Sequence, residues 1–542
     1  MKMYLVIAGL ILTLGTYAQT CYFVDDLAGS DKNIGTSIQT AFQSIEKLNQ
    51  LSLNPGDSVL FRRGGKWIGN LVPRGSGAEK RPIVIGAYGN GPLPVIDARG
   101  VICPGEKASC TIRLFNQEFI EIRDLKIKNF LPFEQPVKLE SKGNASYVYS
   151  AKMGIYIEGK DCGTLHAISL INLEICAVNG DMSTKDNGGV FIEITGNEDE
   201  SKRIKSNFDG LFTEGCYIHD VDRTGWSNTS IWWNRSLNSK WGEKLANGKI
   251  HNWYPSHRVV FRNNRFERTG ANALIIRVAQ SPLTEHCLFT GNAWKGSGNA
   301  SFPFNCDDAL FQYNEACYTV YNSEADSWDN KKDADAGGFD SDWNCKNSVF
   351  QYNYSHHNGF GGILICCDGG SKTGFNDGTV IRYNIFEDNE NHVIRCSGTT
   401  TNSKVYNNVF YSGAEIDSVM LVYHKSWGGY GDSTAYLNNI FYSGGKGNSI
   451  GLGKSTHTVF RANTFYGPIG NEPDDQLKSK VNPLFRGEVS PAVTGKNYLR
   501  FIPQKDSPVI DQGIVVDGHP QKDFSGDPLI GKPDRGAFEI RK

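Results

Sequence analysis

Eight short, similar phrases recur between residues 260 and 466, and they constrain the fold of this chain more than any other feature. Each phrase carries one Asn among alternating apolar residues, as in FRNNRF, FQYNEA and VYNNVF, which gives the series Asn264, Asn292, Asn314, Asn353, Asn384, Asn408, Asn439 and Asn463. Spacings of 22 to 39 residues are typical of a solenoid, in which each coil is one structural unit and insertions enlarge particular loops. We therefore predict one short strand per phrase, with the Asn in a left-handed bend and its amide stacked on the next coil.

The ladder and its alternating strands resemble the right-handed parallel β-helix of the pectate-lyase-like superfamily, found in exported bacterial proteins that degrade polysaccharides. The resemblance implies an all-β fold: a right-handed parallel β-helix (solenoid) with an N-terminal helix-bearing cap and a C-terminal cap. The composition agrees, because 60 Gly and 5 Met among 542 residues suit many short strands joined by turns. Many different activities occur on this architecture, so the fold alone does not identify the function.

The chain divides into four predicted segments. An early Lys, an apolar run and a small-residue ending mark a cleaved secretory signal at the start. The next segment has an amphipathic helical period from Thr40 to Leu51 and is similar to the N-terminal cap of exported β-helix proteins, which hides an open sheet edge. The end of the chain is similar to a terminal phrase of such proteins. The predicted segments are 1–20 (signal peptide), 21–100 (N-terminal cap and first strands), 101–480 (parallel β-helix with inserted loops at 223–256 and 315–345) and 481–542 (C-terminal cap).

Export predicts a secreted or periplasmic protein; a lipoprotein anchored through Cys21 is the less favoured alternative, because the residues before it suit lipid attachment poorly. No later segment is long and apolar enough to span a bilayer. A formal net charge of -2 with both signs interspersed gives no support for nucleic-acid binding. Of 13 Cys, Cys103 and Cys110 could close a small loop, and several others fit buried free thiols. We expect a monomer whose partner is a polysaccharide.

An acidic insertion is the strongest candidate site. Between Asn314 and Asn353 the ladder spacing swells to 39 residues, and the insert contains SEADSWDNKKDADAGGFDSDWN. The two-residue period of a strand puts Asp340 and Asp342 on one face, where close carboxylates are costly unless they bind a cation, share a proton or face basic groups. We therefore expect both to be catalytic. The oxygen-rich cluster also suits Ca²⁺ as a cofactor, with the candidate ligands Asp333, Asp335, Asp340 and Asp342.

Neighbouring coils supply further candidates, because equivalent positions on stacked strands lie about 4.8 Å apart. Asp308, His357 and Arg395 fall on consecutive coils around the insertion, and we add them to the catalytic set. Arg277 near a strand end and His392 near a turn are candidate substrate-binding residues.

Five of the ten Trp residues lie in the loop 223–256. Pyranose faces pack on aromatic rings, so this loop fits a sugar-stacking surface; a loop that packs its own small core fits equally well. For the first interpretation, the candidate substrate-binding residues are Trp232 and Trp233.

Two reactions use the same residues. In a polysaccharide lyase, His357 or a Lys removes the C5 proton of a uronic acid by β-elimination, while Ca²⁺ and Arg395 neutralise the adjacent carboxylate. In a glycoside hydrolase, two Asp carboxyls flank the glycosidic bond. Motifs of polygalacturonases and pectate lyases are not found, so no catalytic residue is carried over from a family. We place a lyase narrowly ahead of a hydrolase, with a non-catalytic glycan-binding or adhesin β-helix third; pectin, alginate and chondroitin- or hyaluronan-like polymers all stay open.

Overall fold

The computed structural model describes residues 19–106, 108–132, 137–141, 144–148, 151–321, 335–487 and 497–541. Within these ranges the chain forms short parallel strands that build three long sheets along one solenoid. Most coils give one strand to each sheet, and crossovers between parallel strands are right-handed. The fold is therefore the right-handed parallel β-helix that the sequence predicts.

Sheet 1 has 14 strands in the described part of the chain and sheet 2 has 13. The strands of sheet 1 are Cys21–Val24, Ser58–Arg62, Ile83–Tyr88, Ile120–Arg123, Thr164–Ile171, Asn207–Glu214, His257–Arg262, Leu283–Glu285, Leu310–Gln312, Val349–Gln351, Val380–Arg382, Lys404–Tyr406, Ala435–Leu437 and Val459–Arg461. Those of sheet 2 are Lys66–Ile68, Val95–Asp97, Lys126–Asn129, Glu174–Val178, Tyr217–Val221, Arg265–Thr269, Leu288–Thr290, Glu315–Cys317, Tyr354–His356, Ile385–Glu387, Val409–Ser412, Ile440–Ser443 and Thr464–Tyr466.

Sheet 3 has 11 strands within the same ranges. They are Ser109–Phe115, Lys152–Lys160, Gly188–Thr195, Thr224–Ser230, Leu274–Arg277, Ser301–Phe304, Phe339–Ser341, Ile363–Cys367, His392–Gly398, Met420–Lys425 and Ser449–Gly451. Smaller elements are a three-stranded sheet (Cys345–Lys346, Asn376–Asp377, Thr400–Thr401), an antiparallel pair (Val137–Ser141, Asn144–Val148), the helix Ile45–Leu48 and the 3₁₀ turns Ile38–Thr40, Glu200–Lys202 and Asn497–Phe501.

The predicted Asn ladder stands at the turn between sheets 1 and 2. In the run from Asn353 to Asn463, each side-chain Oδ1 accepts hydrogen bonds from the ladder Asn one coil earlier, the first donor being Asn314. Asn353, for example, donates its backbone N–H at 2.9 Å and its Nδ2 at 3.0 Å to Oδ1 of Asn384. The amides therefore satisfy buried backbone groups at each bend of this run, which is why the sequence repeats Asn at this position.

Two details of the predicted ladder are wrong. Asn292 lies after a strand of sheet 2 and bonds Thr269, whereas Cys287 occupies the ladder position, receiving a 3.7 Å hydrogen bond from Asn264. The left-handed residue is the one before each ladder Asn, as at Tyr352 with a φ of 57°. The preceding residue makes the bend, so the Asn can direct its amide along the solenoid axis.

The solenoid core consists of stacked apolar side chains. Rings of Phe386, Phe410, Phe441 and Phe465 follow one another with centroids 5.1, 4.8 and 5.1 Å apart. These separations match the spacing of neighbouring strands. Each such ring contributes about 1.5–3 kcal/mol through burial, and a coil gains it only when both neighbouring coils are present.

Segments near both ends of the described residues pack on the solenoid. The helix at the N-terminal end places Ile45 and Leu48 in the core and is capped by Ser44, whose Oγ accepts the N–H of Lys47 at 3.1 Å. It spans four residues, shorter than the predicted period, because 3₁₀ and turn structure flank it. Near the other end, Phe538 packs in an apolar cluster on the outside of the coils. The cap roles and segment boundaries stay predictions.

Cys103 and Cys110 form the predicted disulfide. The other cysteines in the described residues are free thiols, nine of them buried. Over the same residues, no helix has the length and apolar character needed to cross a membrane. The predicted signal at 1–20 lies almost wholly outside the described residues, so export stays a prediction.

Candidate active site

A cavity of about 640 Å³ opens on the outer face of sheet 3. Its floor is formed by the strands that begin at Phe339, Ile363, His392 and Met420. A volume of this order is typical of small-molecule sites. The cavity brings together four residues from the predicted sets, namely Asp335, Asp340, Asp342 and Arg395.

The strand register explains this convergence. Asp340 pairs with Leu364 on the next strand, and Leu364 pairs with Arg395 on the strand after it, so one row of outward side chains crosses the cavity floor. Two residues further along each strand, a second row begins at Asp342 and continues through Cys366, Ser397 and Lys425. Groups from distant parts of the sequence therefore lie side by side.

Asp340 is the most buried of the four carboxyls that line the cavity, with 3% of its surface exposed. Its Oδ2 accepts a hydrogen bond from Nδ2 of Asn299 at 3.1 Å. Burial, reinforced by the negative charges of Asp342 and Asp335, raises the pKa of Asp340 well above its ordinary value. The surroundings of Asp340 therefore favour its protonated form more than water does.

Asp342 is half-buried, and its Oδ1 is fixed by two donors. The backbone N–H of Trp343 donates to this oxygen at 2.7 Å, and the thiol of Cys366 lies 3.1 Å from it. Burial raises the pKa of Cys366 well above its ordinary value, so the thiol stays protonated and donates a hydrogen bond to Asp342. The orientation of Asp342 is thus set before any ligand binds.

Positive charges border the carboxyls. Nη2 of Arg395 lies 3.4 Å from Oδ1 of Asp335. Lys185 reaches the cavity from the loop after a strand of sheet 2, and burial together with Arg277 lowers its pKa. Arg277 itself is half-buried and does not line the cavity, and its Nη1 donates to the carbonyl of Asn228 at 3.1 Å.

These surroundings suit Ca²⁺ poorly. The ion takes about six to eight oxygen ligands, whereas oxygen atoms of Asp340 and Asp342 share their 4.8 Å cluster with the thiol of Cys366. Cationic side chains already stand beside the carboxyls. Asp333, the remaining candidate ligand, lies outside the described residues, and calcium stays a prediction.

Aromatic rings form the cavity wall, and the Trp-rich loop adjoins it. Trp233 has its ring centroid 6.4 Å from that of Trp343, while Trp232 is 8% exposed and packs on Trp241 at 6.1 Å. The loop therefore packs a small core of its own and places one ring next to a cavity residue, and sugar stacking by Trp232 and Trp233 stays a prediction. The lining aromatic residues are Phe304, Trp343 and Trp427.

Two predicted catalytic residues lie away from the cavity. His357 follows a strand of sheet 2, beside Glu387, and burial lowers its pKa. The side chain of Asp308 stands at a turn on another part of the surface, where it accepts hydrogen bonds from Gln280 at 2.8 Å and Asn347 at 3.2 Å.

His392 is close to the cavity floor without lining it. Its ring packs edge-on against Phe360 at 5.0 Å. Burial and the nearby charge of Arg395 lower the pKa of His392 well below its ordinary value, so it is a neutral packing residue.

Sequence reasoning missed the residues that complete the cavity. Lys185 comes from an irregular loop, and Trp427 follows a strand three coils beyond the acidic insertion, so neither is near it in sequence. The coil period could have found Cys366, which occupies the position one strand after Asp342. The missed lining residues are Lys185, Phe304, Trp343, Leu364, Cys366, Asp368, Ser397, Lys425, Ser426 and Trp427.

No protein-family model matches this chain. A lacto-N-biosidase of Bifidobacterium longum subsp. longum is 25% identical over an alignment of 604 positions, gaps included, that covers 97% of this chain and 36% of that protein. This chain thus spans about a third of the length of that relative. The crystal structure of a GH136 lacto-N-biosidase from Eubacterium ramulus has a TM-score of 0.57 at 22% identity, covering 81% of this chain and 68% of that chain; its selenomethionine derivative gives 0.58. The structural likeness confirms the fold.

Proposed function

We propose that this chain is a glycoside hydrolase that removes a short sugar unit from the end of a glycan. The proposal rests on one observation: a single cavity is lined by Asp335, Asp340 and Asp342 together with basic side chains. Most glycosidases use two carboxyl groups, one that protonates the leaving oxygen and one that acts as nucleophile or base. The likeness to lacto-N-biosidases supports hydrolysis ahead of elimination.

Exposure divides the roles among the three acids. A catalytic carboxyl has to touch the sugar, and Asp340 is 3% exposed and engaged by Asn299, so we assign it a positioning role. Asp342 faces the cavity with one oxygen fixed by Cys366 and the backbone, which suits the nucleophile or base. Asp335 has 49% of its side chain exposed and fits the proton donor.

The shape of the cavity suggests where the enzyme cuts. A volume of about 640 Å³ suits a small ligand better than a long polymer. Rings of Trp343 and Trp427 offer flat faces on which pyranose rings stack. The lacto-N-biose unit in the names of both relatives is therefore the first substrate to test.

Elimination is the second candidate, favoured by one observation. The lowered pKa of Lys185 suits a general base, and Arg395 could pair a uronic-acid carboxylate. A lyase leaves an unsaturated sugar that absorbs ultraviolet light, whereas a hydrolase creates reducing ends without that absorbance.

The test is to measure both signals on a panel of β-linked oligosaccharides and uronic-acid polymers, with Asp335→Asn, Asp342→Asn and the matched control Asp308→Asn. Loss of a carboxyl that acts in catalysis lowers kcat by orders of magnitude, whereas Asp308 lies outside the cavity and should leave activity unchanged. Reducing-end release that survives in both cavity variants would refute the site, and an unsaturated product would reassign the reaction to elimination.

A further inference from the structure

Two clusters on the outer face of sheet 2 share one pattern. In each, a strand carries Glu-x-Cys and the next strand in the sheet carries Tyr-x-His at the same register. In each, the Tyr ring stacks on the His ring, with centroids 4.0 and 4.1 Å apart. The first cluster is Glu174, Cys176, Tyr217 and His219, and the second is Glu315, Cys317, Tyr354 and His356.

The first cluster contains its own cation. Lys126 occupies the register position before Glu174, and its Nζ lies 2.6 Å from Oε1 of that carboxylate. Nε2 of His219 lies 3.3 Å from the same oxygen. The lysine ammonium therefore balances the carboxylate.

In the second cluster this cation is replaced by an apolar side chain. Leu288 stands at the register position before Glu315. The next residue in that row, Arg265, is one strand further away and forms an ion pair with Glu267 at 2.6 Å. Within the described residues, the same constellation of Glu, Cys and His thus has no ammonium at the register position that Lys126 occupies in the first cluster.

We infer that the second cluster binds a Zn²⁺ ion through Cys317, His356 and Glu315. One ligand atom from each residue lies within 4.8 Å of the others, and Nε2 of His356 is 3.0 Å from Oε1 of Glu315. Tetrahedral zinc with bonds of about 2.0–2.3 Å brings its ligand atoms to about 3.2–3.6 Å of one another, so small side-chain movements complete the site. Thiolate, imidazole and carboxylate together favour zinc over Ca²⁺ or Mg²⁺.

The surroundings orient the histidine ligand and leave an open side. Nδ1 of His356 lies 2.9 Å from Nδ1 of His357, which gives the nitrogen that would not bind zinc a hydrogen-bond partner. Tyr354 stacks on one side of the imidazole, and Tyr318 packs edge-on at 5.5 Å. The carboxylate side, where 36% of the Glu315 side chain is exposed, leaves room for a water molecule as fourth ligand. The site lies on sheet 2, separate from the cavity on sheet 3.

The experiment uses the full chain, stripped with a chelator, incubated with zinc chloride and desalted, with bound metal counted by mass spectrometry. We expect one tightly bound zinc per chain, and background levels in Cys317→Ser and in Leu288→Lys, whose new ammonium reproduces Lys126 of the twin cluster. Cys176→Ser is the matched control and should retain one zinc. Cobalt substitution adds a second readout, a thiolate-to-metal charge-transfer absorption that Cys317→Ser abolishes.

Circular dichroism of each variant separates loss of metal from loss of fold. Leu288 is half-buried on the outer face, so its replacement by Lys should leave the folded spectrum intact. A wild-type chain without zinc, or a folded Cys317→Ser or Leu288→Lys variant that keeps it, would overturn the site. Loss of zinc in Cys176→Ser would also overturn it, because the metal would then belong to the wrong cluster.

Discussion

Replacing Asn384 with Ala tests whether the ladder amides hold the solenoid together. Oδ1 of this buried residue accepts the N–H of Asn353 at 2.9 Å and its Nδ2 at 3.0 Å. Nδ2 of Asn384 donates to the carbonyl of Phe350 at 2.9 Å and to Oδ1 of Asn408 at 3.0 Å. Truncation removes all of these bonds at once and leaves the Asn353 N–H facing a small void.

The size of the effect follows from those partners. A buried donor without a partner costs about 1–3 kcal/mol, and each lost hydrogen bond removes about 1 kcal/mol net. Nδ2 of Asn353 keeps its hydrogen bond to the carbonyl of Phe311, so only some of the groups around Asn384 lose every partner. The sum is a loss of about 3–5 kcal/mol in the free energy of unfolding, at the upper end for a single substitution.

The assay is urea unfolding followed by circular dichroism, with Asn247→Ala as the matched control. Asn247 lies in an exposed loop, so its replacement should change the free energy of unfolding by no more than about 1 kcal/mol. If Asn384→Ala unfolds at the same urea concentration as the control, the ladder amides do not stabilise the fold and the reasoning fails.

Three further predictions concern the cavity. Burial raises the pKa of Asp340, so the folded protein keeps a proton that the unfolded chain releases above about pH 4. The free energy of unfolding therefore falls as pH rises from there towards the folded pKa, by at most about 1.4 kcal/mol per pH unit. Asp340→Asn should remove this pH dependence, which urea unfolding at several pH values would measure. Trp233→Ala should raise KM with little change in melting temperature, whereas Trp226→Ala, which empties a fully buried site, should lower the melting temperature by several degrees. If the reaction is hydrolysis, EDTA should leave the rate unchanged, and a rate that falls with EDTA and recovers with calcium would favour elimination.

The sequence predicted the architecture because its strongest signals are local and repeated. Alternating apolar residues and a buried Asn have the same physical role at every coil, so the pattern recurs in the chain. Asn292 was misplaced because similar phrases follow strands in both sheet 1 and sheet 2, and only the register separates them. Asp340 and Asp342 point outward from one strand, as their spacing predicted.

The remainder of the cavity depends on contacts that no short window of sequence contains. Lys185 reaches it from a loop several coils earlier, so its contact with the acids follows from the path of that loop. The sequence predicts a catalytic role for His357 because it follows a ladder Asn by a few residues. The intervening strand belongs to sheet 2, which turns His357 away from sheet 3.

Cys287 divides the ladder in a way that bears on how the protein opens. From Asn314 onward every amide is linked to the next, and the line ends where Asn463 donates to the carboxylate of Asp475 at 2.8 Å. Between Asn264 and Asn314 the link passes through a thiol, a weaker partner. Proteins open locally in contiguous cooperative units, and hydrogen exchange reports the stability of each unit. The coils that carry the cavity should therefore exchange their amide hydrogens as one unit, with a change of protection at Cys287.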